Sequence, residues 1–166
     1  MLYFSSIRAV FVDFDDTLCV HLTDRNHFDD YDEWLRAMIT SDLRFYLNKE
    51  KYAVQEEVRD FCKKLKEKGA LCAVITWNSS NIVYKPKKNF VDTYCPGLFD
   101  NLYITGSREG KLKLIENYCK IYDLKPYEVL VIDDHPETGN EMRNAGFSHL
   151  TPLAIVTLMR RGDFEC

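Results

Sequence analysis

The sequence predicts an α/β fold in which a mostly parallel sheet is covered by helices on both faces, a three-layer, Rossmann-like arrangement. Two observations carry this expectation. Three short, unbroken apolar runs, "AVFV", "LCAVI" and "VLVI", each end in a polar residue: Asp13, Thr76 and Asp133. Runs without polar alternation suit strands buried on both faces, as parallel strands are. Helical patterns separate these runs, and strand–helix alternation builds βαβ units with right-handed crossovers.

The elements follow in order. After the first strand, the chain between Cys19 and about Tyr52 breaks the alternation. It is too polar and too long for a simple connection. Trp34 and Met38 are four apart, as are Leu43 and Leu47, which predicts two short helices. Residues 20–52 therefore read as a small cap-like insertion over the active face, with plain packing of its aromatic residues on the core's edge as the alternative. Val54, Val58, Phe61, Cys62 and Leu65 share one helical stripe, closed by Gly69. Beyond Thr76, "YKPKKN" with Lys85, Lys87 and Lys88 reads as a solvated basic loop. "LYIT" is a weaker strand, and Leu114, Ile115 and Tyr118 form a second stripe from Lys111. Pro136 opens and Gly146 closes another helix. "FSHLT" near Phe147 is a last strand, and "TPLAIVTLMRR" a closing helix from Pro152. With no repeat, low-complexity run or linker, residues 1–166 read as a single domain.

Composition narrows the function. A chain of 166 residues can bury a real core. A net charge of −4 speaks against a nucleic-acid surface, which needs a basic stripe, without excluding a local patch. Six cysteines (Cys19, Cys62, Cys72, Cys95, Cys119 and Cys166) include no CxxC pair, so they read as reduced thiols rather than disulfides or zinc ligands. Neither a signal peptide nor a membrane-length apolar stretch is read, so the expected setting is cytoplasmic with no membrane partner.

The chemistry lies at the strand ends. In parallel sheets ligands bind beyond the carboxyl ends of the strands, which brings Asp13, Thr76 and Asp133 together in space. "VDFDDT" crowds Asp13, Asp15 and Asp16, and "VIDDHP" adds Asp134 beside Asp133. A divalent cation, Mg²⁺, is the simplest means of holding ionised carboxylates together, and Asp13 with Asp133 and Asp134 forms such a site. A carboxylate placed like Asp13 can attack phosphorus to give an aspartyl-phosphate. A second, Asp15, can protonate the leaving oxygen and later activate water. The Thr76 hydroxyl and a lysine ammonium can hold the phosphoryl oxygens.

These motifs resemble the haloacid dehalogenase superfamily of hydrolases. "AVFVDFDDTL" is similar to its first motif, an apolar strand followed by D-x-D-x-T. "LCAVITWN" is similar to the second, and "VLVIDDHPETGNEMRNAG" to the fourth; the motif-three lysine falls near "EGKLKLIENYC". The match covers nearly the whole chain except the segment from Cys19 to about Tyr52. The resemblance implies Asp13 as nucleophile and Mg²⁺ ligand, and Asp15 as general acid/base whose backbone carbonyl reaches the metal. It implies Thr17 as support for the turn, Thr76 with Asn78 as phosphoryl binders, Asp133 as the completing ligand, and Asp134 just behind it. Lys111 is the preferred lysine because it projects with Ile115 and Tyr118; Lys113 is its competitor. Members that cleave carbon–halogen bonds lack the second aspartate, so Asp15 points to phosphate monoesters. Asp16, His135, His21 and His27 receive no catalytic role.

Two rivals remain at this level. A phospho-accepting receiver domain uses similar residues, but with the acidic pair first and the accepting aspartate later. A catalytically weak, regulatory protein that binds a phosphorylated partner is the other. The short insertion predicts a nearly open site, as in relatives acting on phosphoproteins or nucleic-acid ends, or in homo-oligomers whose neighbouring subunit supplies a lid. The substrate class stays open.

Overall fold

Successive residues of the first strand, β1 (Ala9–Val12), face opposite cores. Val10 and Val12 join one apolar cluster, while Ala9 and Phe11 join another. β4 (Leu71–Trp77) divides in the same way, Cys72 and Val74 against Ala73 and Ile75. So does β6 (Val129–Ile132), with Leu130 and Ile132 against Val129 and Val131. Apolar residues are needed on both faces, which is why these runs show no alternation.

The computed structural model describes residues 4–22 and 31–162. With β5 (Asn101–Thr105) and β7 (Ser148–Leu150), the main sheet has the order β5-β4-β1-β6-β7, and every pairing in it is parallel. α2 (Glu56–Glu67), α3 (Tyr84–Tyr94) and α6 (Pro152–Arg161) cover one face through Val58, Phe61, Phe90 and Ile155. α4 (Arg108–Tyr122) and α5 (Pro136–Asn144) cover the other through Ile115, Tyr118 and Met142. Burying each such side chain contributes about 1.5–3 kcal/mol. The strand order reverses at β1, so the crevice where ligands bind opens beyond its carboxyl end. Among the described residues no helix is long and apolar enough to cross a membrane.

Three local expectations are corrected. The segment after β1 is closed by a two-stranded antiparallel ribbon, β2 (Cys19–His21) with β3 (Tyr52–Val54). Val54 thus belongs to a strand, and the helix read from it begins at Glu56. Within the segment, α1 (Tyr31–Ile39) carries Trp34 and Met38 as expected, but Leu43 and Leu47 do not share a helix: only a single 3-10 turn forms, Phe45–Leu47. Asp42 accepts the Arg44 N–H at 2.9 Å and Asn48 accepts the Glu50 N–H at 3.0 Å, side-chain turns that compete with helix on either side. His27 lies outside the described residues.

The third correction is "YKPKKN". It is the start of α3 rather than a solvated loop. Pro86 is tolerated in a first turn, where its missing N–H is not needed. Val83, Lys87, Phe90 and Val91 form the buried stripe. Lys87 is 2 % exposed, while Lys85 is exposed and Lys88 half-buried. A lysine occupying a core position hid the helical period.

Candidate active site

The turn after β1 sets the aspartates. The Asp13 N–H still bonds the Ile132 carbonyl at 2.8 Å, so its side chain leaves from the last sheet-bonded position. The chain then reverses: Leu18 and Cys19 donate to the Phe14 carbonyl, and the Asp16 N–H donates to that of Cys19. Asp16 has φ 52°, a left-handed conformation that aspartate tolerates better than most residues, and this is its structural role. Thr17, fully buried, ties the turn to the loop after β6: its hydroxyl donates to Asp134 Oδ1 and accepts the Asp134 N–H, both at 3.2 Å.

Lys111 enters from the first turn of α4, whose start is fixed by Ser107 Oγ accepting the Gly110 N–H at 3.2 Å. Its Nζ lies 2.8 Å from Asp13 Oδ1 and donates to Asp133 Oδ2 at 2.8 Å. Lys113 is exposed. Burial disfavours the Lys111 charge, but Asp13 and Asp133 outweigh it and hold the ammonium above its ordinary range. Asp133 Oδ1 accepts the His135 N–H at 2.9 Å. Burial, reinforced by Asp133 and Asp15 and opposed by Lys111, pushes the Asp13 carboxyl up to about 7. Burial and Asp133 likewise raise Asp134.

These features fit a divalent cation. Carboxylate oxygens of Asp13, Asp133 and Asp134 lie within 4.8 Å of one another, a hard-oxygen donor set. Asp13 Oδ1, although beside Lys111, is buried and accepts no well-angled hydrogen bond, so it has capacity left for a ligand.

Opposite them, Thr76 ends the buried part of β4 and donates its hydroxyl to Asp15 Oδ2 at 3.4 Å. Asn78 lines the same cavity, with its Oδ1 engaged by the Ser80 N–H at 3.0 Å and its own N–H by the Thr105 carbonyl at 2.9 Å. Lys87 is the residue the sequence reading missed. Its ammonium donates to Asp15 Oδ2 at 2.5 Å and to Thr76 Oγ1 at 2.9 Å, and sits 4.6 Å from the centre of the Phe14 ring. The one usable signal was its position four residues before Val91 and three before Phe90, on the apolar side of a helix.

The loop after β6 is also fixed from behind. His149 Nε2 donates to the Asp133 carbonyl at 3.0 Å, leaving Nδ1 to accept from Arg143 at 3.0 Å. The ring packs against Gly139, where a Cβ would come within 2.6 Å of it. Gly139→Ala should therefore displace a ring held at both nitrogens and cost about 1–3 kcal/mol, read as a lowered urea midpoint.

No family model matches the chain, and no curated protein matches it significantly. Solved structures do. A hydrolase from Streptococcus pneumoniae TIGR4 superposes with a TM-score of 0.57 at 17 % identity, over 96 % of this chain and 100 % of that one. A haloacid dehalogenase family enzyme from Bacteroides thetaiotaomicron, solved as a mutant with magnesium and inorganic phosphate, gives 0.56 at 14 % identity, over 89 % and 95 %. A haloacid dehalogenase superfamily hydrolase of subfamily IA from Geobacter sulfurreducens PCA gives 0.54 at 17 %, over 87 % and 89 %. The sheet order, the aspartate turn after its central strand and these superpositions agree: the chain has the fold of the haloacid dehalogenase-like hydrolases.

Proposed function

We propose that the protein is a Mg²⁺-dependent phosphatase that hydrolyses a phosphate monoester through an aspartyl-phosphate on Asp13. The observation that carries this reading is the pairing of two unlike carboxylates two residues apart. Asp13 is buried against Lys111, while the Asp15 side chain is 46 % exposed and bonded to Thr76 and Lys87. One is placed to attack and the other to exchange protons with substrate and water.

Thr76 Oγ1 and Lys111 Nζ hold the phosphoryl oxygens, with the Asn78 side chain at the rim. An Asp13 carboxylate oxygen attacks phosphorus in line, the P–O ester bond breaks, and Asp15, entering the step protonated on Oδ1 while Oδ2 accepts from Lys87 and Thr76, gives that proton to the departing alkoxide. Asp15, now a carboxylate, takes a proton from water as that water attacks phosphorus; the Asp13–phosphorus bond breaks and phosphate leaves. Lys87 fixes the orientation of Asp15 and of the Thr76 hydroxyl throughout. Mg²⁺, held by Asp13, Asp133 and the Asp15 carbonyl with Asp134 nearby, would offset the crowded negative charge and polarise the phosphoryl group.

Hydrolysis of para-nitrophenyl phosphate tests the reading. Release is expected with Mg²⁺ and should vanish with EDTA. Metal-independent release, or none from this substrate and from a panel of sugar phosphates and nucleotides, would count against it.

A further inference from the structure

The cavity above the aspartates has two unlike ends. Its floor is polar, and its walls are aromatic: Tyr31 and Trp34 from α1, Tyr46 from the 3-10 turn, Tyr52 from β3, and Trp77 directly after Thr76. We propose that these walls form a leaving-group subsite, and that the substrate is a phosphate monoester whose alcohol carries a flat aromatic ring. The proposal rests on the phosphatase reading and adds to it the class of substrate.

Three observations point this way. The first is size and shape. The cavity measures about 440 Å³, in the range of small-molecule sites, and it is continuous with the catalytic floor. The second is the state of the aromatic surfaces. Tyr31 is 50 % and Trp77 49 % exposed, and both line the cavity, so aromatic surface stands open there. Tyr31 and Trp34 are already stacked, with centroids 5.7 Å apart and planes 26° apart, and Trp34 is braced by donating its Nε1–H to Tyr46 Oη at 3.2 Å. This makes a pre-ordered wall rather than loose side chains. The third is charge. Among the described lining residues the only lysines are Lys87 and Lys111, both paired with aspartates at the floor, and there is no arginine. Asp16 contributes a further carboxylate to the lining. Burial and Asp15 keep the Tyr46 hydroxyl well above its ordinary range, hence neutral. Among the described lining residues a second phosphate or carboxylate would find no lysine or arginine that is not already paired, whereas a flat ring gains stacking area.

Binding of non-hydrolysable phosphonates tests this independently of turnover. Both tryptophans of the chain line the cavity, so quenching of their fluorescence reports occupancy. With Mg²⁺ present, 1-naphthylmethylphosphonate should bind about tenfold more tightly than cyclohexylmethylphosphonate, which has the same headgroup but a puckered, saturated ring. In the double variant Tyr31→Ala/Trp77→Leu, whose altered side chains are half exposed and leave the core intact, the ratio should fall below about twofold with inorganic phosphate affinity unchanged. Equal affinity of the two phosphonates for the wild type overturns the proposal. Phosphonate analogues of phosphotyrosine and of adenosine 5′-monophosphate separate the two sources of such a ring, and the tighter one names the source. Ring-selective binding without Mg²⁺-dependent hydrolysis of para-nitrophenyl phosphate or of the sugar phosphate and nucleotide panel would overturn the phosphatase reading and leave a ring-binding subsite standing. Hydrolysis with equal phosphonate affinities would do the reverse.

Discussion

Asp13→Asn should reduce turnover of para-nitrophenyl phosphate by roughly 10⁴-fold or more, the scale of losing a nucleophile, while the protein stays folded. The substitution keeps the side chain's shape and removes a carboxylate that burial and its acidic neighbours disfavour. The same variant isolates the metal's contribution to stability. Because the Asp13 carboxyl is raised above its ordinary 3.8 to about 7, ionising it costs the metal-free fold stability as pH climbs through that window. A bound cation removes the cost. Mg²⁺ at a hundredfold excess over its Kd should raise the wild-type melting temperature by roughly 5–10 °C, more at pH 8 than at pH 6, where protons compete for Asp13. Asp13→Asn should lose most of that rise and its pH dependence. A full Mg²⁺ shift in the variant would remove Asp13 as a metal ligand, and surviving activity would remove it as the nucleophile.

Lys87→Met should cost roughly 10²–10³-fold in kcat, comparable to losing one preorganised donor in an active site. The loss should be graded. Esters with poor leaving groups depend on proton donation by Asp15 and should suffer most, while para-nitrophenyl phosphate, with its good leaving group, should suffer least. A uniform loss across leaving groups would assign Lys87 a packing role only. Stability should change by no more than about 2 kcal/mol. Met fills the volume of the lysine stem against Phe14, and the Asp15 side chain is open enough for water to replace the lost ion pair. That balance makes the variant a test of chemistry rather than of folding.

The two residues differ in how they could be found. Asp13, Asp15, Thr76 and Asp133 were legible because parallel strands advertise themselves as unbroken apolar runs and their carboxyl ends converge. Placing each residue needs only its position after a run. The doubly covered sheet and four of its covering helices were legible for the same reason, since burial on a face imposes a period on the sequence. Lys111 over Lys113 was readable from its place on the apolar stripe of α4, and its ammonium meets both Asp13 and Asp133.

The rest depended on contacts between distant segments. β2 and β3 are only three residues each, too short to show a period, and exist because they pair across the inserted segment. The 3-10 turn at Phe45–Leu47 was mistaken for a helix because spacing alone cannot register the side-chain turns that flank it. α3 was missed because local charge argued for solvent at "YKPKKN". Only the fold supplies what makes a buried ammonium at Lys87 tolerable: a carboxylate 72 residues away, a hydroxyl on β4 and the face of Phe14. The sequence leaves the aromatic insertion undecided between packing and a place over the active face; Phe45 and Tyr46 are buried in the core, while Tyr31 and Trp34 line the cavity. Thus the sequence by itself determined the sheet, its direction and the cluster of acidic residues at its end, because burial and strand polarity are encoded locally. Which charges neutralise one another, and what shape stands above them, was decided only by tertiary structure, because a buried charge is set by partners that sequence distance conceals.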